Sequence, residues 1–176
     1  MAAVQILARA GHPRTLELLS MATRDSDTEV GGAAVTILGG LRDLGAAELL
    51  VQVMKEGTYS RSRVASQLDR FPLPLRALIE PLVREDDPKL RFWGATLLAR
   101  YAGEPDLHPV LLDLAGDPDA DVRAATVETL GKTGGRGAQA AAAVLLDDPA
   151  WWVRAHAARA LGDLRGSPSR QTSQSC

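Results

Sequence analysis

Apolar positions along this chain come in short groups with a helical step. Leu16, Leu19 and Ala22 form one group, Leu49, Leu50, Val53 and Met54 a second, and Leu75, Leu78, Ile79 and Leu82 a third. Leu111, Leu112 and Leu114 follow, then Val144 to Leu146. Spacing of three and four residues places such side chains on one face of an α-helix. No segment alternates β-branched and polar residues long enough to read as a strand.

Between these groups stands a second kind of segment that repeats itself. Its clearest copies are VRAATVETLG (Val122 to Gly131) and VRAHAARALG (Val153 to Gly162). LRFWGATLLA (Leu90 to Ala99) and VGGAAVTILG (Val30 to Gly39) follow the same order, and SRSRVASQLD keeps Val64, Ala65 and Leu68. Placing the Arg of each copy at positions 31, 61, 91, 123 and 154 gives intervals of 30, 30, 32 and 31. Each period therefore predicts two amphipathic helices. Helix A is expected at 13–23, 45–55, 73–84, 106–115 and 137–146, and helix B at 28–40, 59–69, 88–101, 120–132 and 150–163. Residues 3–9 are expected to form one further, leading B helix, so that the chain begins inside a repeat.

Local chemistry supports these boundaries. Asp before Pro at Asp87-Pro88, Asp117-Pro118 and Asp148-Pro149 offers an acceptor for free amides and a pre-set φ at the entry to helix B. Gly39, Gly40, Gly131 and Gly162 stand where helix B should end, and the expectation is that they close it in the left-handed conformation. A unit of about 31 residues cannot bury its own apolar face, so the units must stack into an α-solenoid. The fold class is read as all-α, with a repeat domain over residues 1–164 and a polar, disordered tail over 165–176.

Composition adds boundaries to function. Lys and Arg number 20 against 22 Asp and Glu, a formal net charge of -2, which removes the field that drives non-specific nucleic-acid binding. The single cysteine, Cys176, has no partner in the chain for a disulfide, and the default compartment is the cytoplasm. No run of about 18 apolar residues suggests a membrane span.

The DDPxVR-xx-A-xxx-LG pattern resembles the short bacterial HEAT repeats, a type also found in phycobilin lyases. The resemblance covers residues 1–164, as five A/B pairs and the leading helix. It implies a ladder of hydrogen bonds in which the repeated Asp and Arg link successive turns. Gly31 in place of the Arg, and a second repeat without Asp-Pro, are departures from that ladder. The resemblance implies no single activity, since such repeats serve scaffolds, lyase subunits, DNA glycosylases and hydroxylases.

Candidate chemistry is sparse. Deoxyhypusine hydroxylases, built of similar repeats, bind iron through His-Glu steps, yet none of His12, His108 and His156 is followed by Glu. Cys176 lacks neighbours at ligand spacing, so no metal or other cofactor is expected. GKTGG (Gly131 to Gly135) lacks the upstream glycine and strand of a phosphate loop. The carboxylates of the Asp-Pro turns are explained by capping, and no catalytic residue is assigned.

In a HEAT-like stack the B helices are implied to line the concave face. The positions that project there hold Phe92 and Trp93 where other repeats have small residues, and the basic row Arg70, Arg100 and Lys132. Trp151 and Trp152 open the last B helix. Aromatic and Arg side chains are what binding hot spots are made of. The expected partner-binding strip is Arg63, Phe92, Trp93, Arg100, Glu128, His156 and Arg159, brought together by neighbouring helices about 10 Å apart. The function expected is a non-enzymatic scaffold for a protein or peptide, with residues 1–10 open to self-association. A phycobilin-lyase-like subunit and a HEAT-like DNA glycosylase are the alternatives.

Overall fold

The computed structural model describes residues 14–41 and 43–166. The leading helix at 3–9, His12, and the tail beyond Gly166 lie outside the described residues. Within them the chain is all-α and contains no strand. It divides into two compact units, residues 1–82 and 83–176.

The first unit holds α1 (Thr15–Ala22), α2 (Thr28–Gly40), α3 (Leu44–Glu56), α4 (Arg61–Asp69) and α5 (Arg76–Ile79). Asp27 opens α2 by accepting from the Glu29 amide at 2.9 Å, and Asp43 opens α3 by accepting from Ala46 at 3.2 Å. Gly57, at φ 67°, closes α3 in the left-handed conformation that a Cβ would disfavour. α1 packs on α2, α2 on α3 and α4, and α3 on α4. Their apolar faces meet in a core of Leu19, Leu38, Leu50, Met54, Val64 and Leu68, all fully buried. Phe71, also fully buried, fills the space after α4 where the chain leaves the repeat pattern.

The second unit holds α6 (Pro88–Leu98), α7 (His108–Leu114), α8 (Ala120–Thr133), α9 (Gly135–Val144) and α10 (Trp151–Gly166). The B helices α6, α8 and α10 pack side by side, and the A helices α7 and α9 lie against α8 and α10. Val122, Val127, Leu130, Ala142, Val153 and Ala157 are buried between the two layers. A buried hydroxyl adds a polar tie between repeats: Thr129 Oγ1 donates to the Ala95 carbonyl at 3.0 Å. Short 3-10 turns extend several helix ends, over Glu80–Arg84, Ala99–Tyr101 and Leu145–Asp147. With them the elements follow the sequence expectation to within about three residues.

The glycines of the Leu-Gly motif differ from expectation. Among the described residues only Gly57, Gly134 and Gly135 have positive φ, so Gly39, Gly40, Gly131 and Gly162 do not close helices in the left-handed region. Gly131 lies inside α8, where a Cβ would come within 3.0 Å of Ala160 Cβ and 3.1 Å of its Cα. A Cβ on Gly39 would press on Gln67 at 2.9 Å from its Cβ. These two glycines let neighbouring B helices approach. Gly134 instead ends α8, two residues past the expected end.

The Asp/Arg ladder is present. Arg91 donates to the Glu85 and Asp86 carbonyls at 3.0 and 2.8 Å, and its Nε and Nη2 fork onto Asp117 at 2.8 and 2.9 Å. One repeat on, Arg123 donates to the Asp117 and Pro118 carbonyls at 2.8 and 3.1 Å and forks onto Asp148 at 2.7 and 3.0 Å. Arg154 repeats the carbonyl half, at 2.8 and 3.1 Å from the Asp148 and Pro149 oxygens. The first unit keeps a related contact at its own register point, where Arg61 Nε donates to Met54 O at 2.9 Å.

Candidate functional site

The B-helix layer of the second unit carries a groove of about 280 Å³. Its floor is made of small residues, Ala124 and Ala125 on α8, which leave space that larger side chains would fill. Phe92 and Thr96, one turn apart on α6, form one wall. Trp152 and His156, one turn apart on α10, form the other. Trp152 is 37% exposed and Trp151, its edge-to-face neighbour at 6.0 Å, is 68% exposed. Exposed indoles on one helix start are apolar surface that the fold itself does not use.

Charge gathers at one end of this groove around Glu128. Its Oε2 lies 3.0 Å from Arg159 Nη2 and 3.4 Å from His156 Nδ1, and its Oε1 lies 3.9 Å from Lys132 Nζ. All four side chains are a third or more exposed. Such pairs contribute about 0–1 kcal/mol each to stability. Their consequence is positional: three cationic or titratable groups are held over one carboxylate beside two aromatic walls.

Trp93 stands apart from this groove. Half-buried, it packs edge-to-face on Phe92 at 5.0 Å. With Phe92, Pro88, Lys89, Asp119 and Asp121 it lines a second hollow of about 310 Å³. Phe92 and Asp121 are common to both. Arg100 is exposed on the turn after α6 and lines neither hollow. Arg63 belongs to the first unit, on α4.

Of the seven residues expected to bind a partner, the second unit thus brings together Phe92, Glu128, His156 and Arg159, with Trp93 adjoining. Trp152 and Lys132 were not in that set. A signal for Trp152 existed, because it lies four residues before His156 and so on the same helix face.

The carboxylates of the ladder behave differently from Glu128. Burial alone pushes the Asp117 carboxyl up, but the hydrogen bonds from Arg91 and the Asp119 amide, with the charges of Arg91 and Arg123, hold it below the usual Asp value. The Arg123 guanidinium, aided by the Ala150 amide and the charge of Arg154, holds Asp148 low against its burial. Both are charged structural acceptors with their lone pairs engaged, not proton carriers. His108 is likewise structural, its Nε2 lying 2.9 Å from the Gly134 carbonyl and 3.1 Å from Thr133 Oγ1. Among the described residues no group of three His, Cys, Asp or Glu side chains is placed to hold a metal ion. No helix among them is long and apolar enough to cross a membrane.

The family model for HEAT repeats matches residues 1–68 and 75–162. No curated protein matches the sequence significantly. Among solved structures, the chain is similar to an engineered protein, with 20% identity, a TM-score of 0.51, and coverage of 93% of this chain and 83% of that one. It is also similar to human deoxyhypusine hydroxylase in complex with glycerol, with 14% identity, a TM-score of 0.51, and coverage of 94% and 90%. At these identities the likeness concerns the fold.

Proposed function

We propose that this chain, which belongs to the HEAT-repeat family, is a non-enzymatic scaffold that holds a protein or peptide segment on the B-helix face of its second unit. The observation that carries the reading is the pairing of the exposed Trp152 and half-buried Phe92 across a groove whose end bears Glu128, His156 and Arg159. Aromatic anchors beside orienting charges are the composition of a recognition patch. Trp93 adjoins that surface through its edge-to-face contact with Phe92. The formal net charge of -2 favours a peptide over a nucleic acid, because no excess of cations neutralises a phosphate backbone.

Selection of a displayed peptide library on the folded chain tests the reading. Enriched peptides are expected to lose affinity with Trp152→Ala by about 2 kcal/mol or more, roughly thirtyfold. Arg159→Ala should weaken them by a smaller factor, and neither substitution should shift the melting temperature by more than a degree or two. Trp93→Ala separates packing from binding, because a core role lowers the melting temperature and leaves the affinity of the folded protein unchanged. Failure to enrich any peptide, or enrichment indifferent to both Trp152 and Arg159, removes the proposal.

A further inference from the structure

The arginines of the first unit are mostly committed. Arg24 forks onto Glu56 at 2.6 and 3.0 Å, Arg76 reaches Glu80 at 3.1 Å, and Arg61 serves the Met54 carbonyl. Arg63 on α4 and Arg70, which caps the C-terminal end of α4, are different. Arg63 Nη1 meets only the Tyr59 hydroxyl, at 3.4 Å, and Arg70 Nε donates to the Ser66 carbonyl of its own helix at 3.1 Å. Neither has a carboxylate partner among the described residues, and both are exposed.

These two guanidinium groups line one groove of about 260 Å³ between α2 and α4, together with Tyr59, Gln67, Thr36 and Ser66. Among the described residues no acidic side chain lines it. The Thr36 and Ser66 hydroxyls spend their protons on their own helices, on the Gly32 and Ser62 carbonyls. The donors left over are the two guanidinium groups, the Gln67 amide and the Tyr59 hydroxyl, which accepts from Arg63 and keeps its own proton. The space itself follows from Gly32, because a Cβ there would collide with the Tyr59 hydroxyl and lie 3.2 Å from Cζ. The adjoining hollow, which shares Gly32, Thr36, Tyr59 and Arg63, carries Glu29.

We propose that this α2/α4 groove is a second docking site, for an acidic peptide segment whose Asp or Glu carboxylates seat on Arg63 and Arg70. The site goes beyond the function proposed above and does not depend on it, since it stands in the other unit. Guanidinium groups fork onto carboxylates, and here two present unused donors on one helix face. Seven residues apart on a helix, they are separated by about 10 Å along its axis. An extended peptide advances about 3.3 Å per residue, so acids two to four residues apart reach both. A continuous phosphate backbone suits the site less, because its charges would run on past Glu29; a peptide can place a neutral residue there.

The test is an NMR titration of the full chain at low salt with a deca-glutamate peptide, and in parallel with a deca-uridine oligonucleotide. Deca-glutamate is expected to give saturable shifts at residues 59–70 and at the Nε resonances of Arg63 and Arg70. Arg63→Gln and Arg70→Gln should each weaken the binding about two- to fivefold, with the double variant losing it. Both sites are exposed, so the melting temperature should stay unchanged, and Arg63→Lys should keep part of the affinity. Absence of shifts on α4, shifts that persist in the double Gln variant, or stronger binding of deca-uridine overturns the proposal.

Discussion

At the scale of single residues, two glycines in equivalent motif positions do opposite things. Gly131 in α8 faces Ala160 of α10, and an added Cβ would meet backbone at 3.1 Å, which a rotamer change cannot relieve. Gly162 in α10 has nothing within 4 Å of its would-be Cβ. Gly131→Ala is therefore expected to destabilise by about 1–2 kcal/mol, overpacking outweighing the gain in helix propensity. Gly162→Ala should stabilise by about 0.5–1 kcal/mol, because it lowers the entropy of the unfolded chain and adds no clash. Denaturant midpoints for the pair measure this directly, and equal signs would contradict the close-approach account.

The inter-helix turn is the element in which sequence and energetics are most closely joined. Asp117 and Asp148 each accept a fork from the Arg of the preceding repeat and a backbone amide of their own turn. Their side chains are 7% and 4% exposed, so little solvent screens them. Because both carboxyls are held below their ordinary value, the folded state binds fewer protons than the unfolded one in the acid range. Their contribution is complete above the unfolded value, about pH 4. It is lost as pH falls from there through the lower folded values. Thermal unfolding followed from pH 6 to pH 2 should show this fall, and Asp148→Asn should flatten part of it. At neutral pH that variant should cost about 1–3 kcal/mol, through loss of a charge-assisted fork. An unchanged acid profile in the Asn variant would show that the ladder does not set acid stability.

At the scale of the whole molecule, each repeat contacts chiefly its neighbours within its own unit. Stability in such arrays is a sum of repeat and interface contributions, so damage should stay local. Hydrogen exchange in Asp148→Asn is expected to quicken most in α8 and α10 and least in α2 and α3. Uniform acceleration across both units would instead mean one cooperative block.

Much of this was legible in the chain alone. Among the described residues the apolar groups and the repeated motif place the ten helices close to where they stand, because one buried stripe per helix imposes the period wherever units stack. The Asp-Pro steps marked the turns that enter helix B, since capping depends only on sequence distance, whereas the ladder was expected only because the resemblance to HEAT repeats implies it. What only the tertiary structure decided was which side chains face each other. The role of Gly131 depends on where α10 passes. The grouping of Phe92, Trp152 and Glu128 depends on three helices that share a face, though 60 residues separate Phe92 from Trp152. That Arg63 and Arg70 meet no carboxylate among the described residues depends on which side chains the packing of α2 against α4 sets across the groove. Periodicity fixes which face of a helix is buried, because that needs only the helix's own geometry. It cannot fix the partners of exposed polar groups, because those are set by distances between elements that no local spacing encodes.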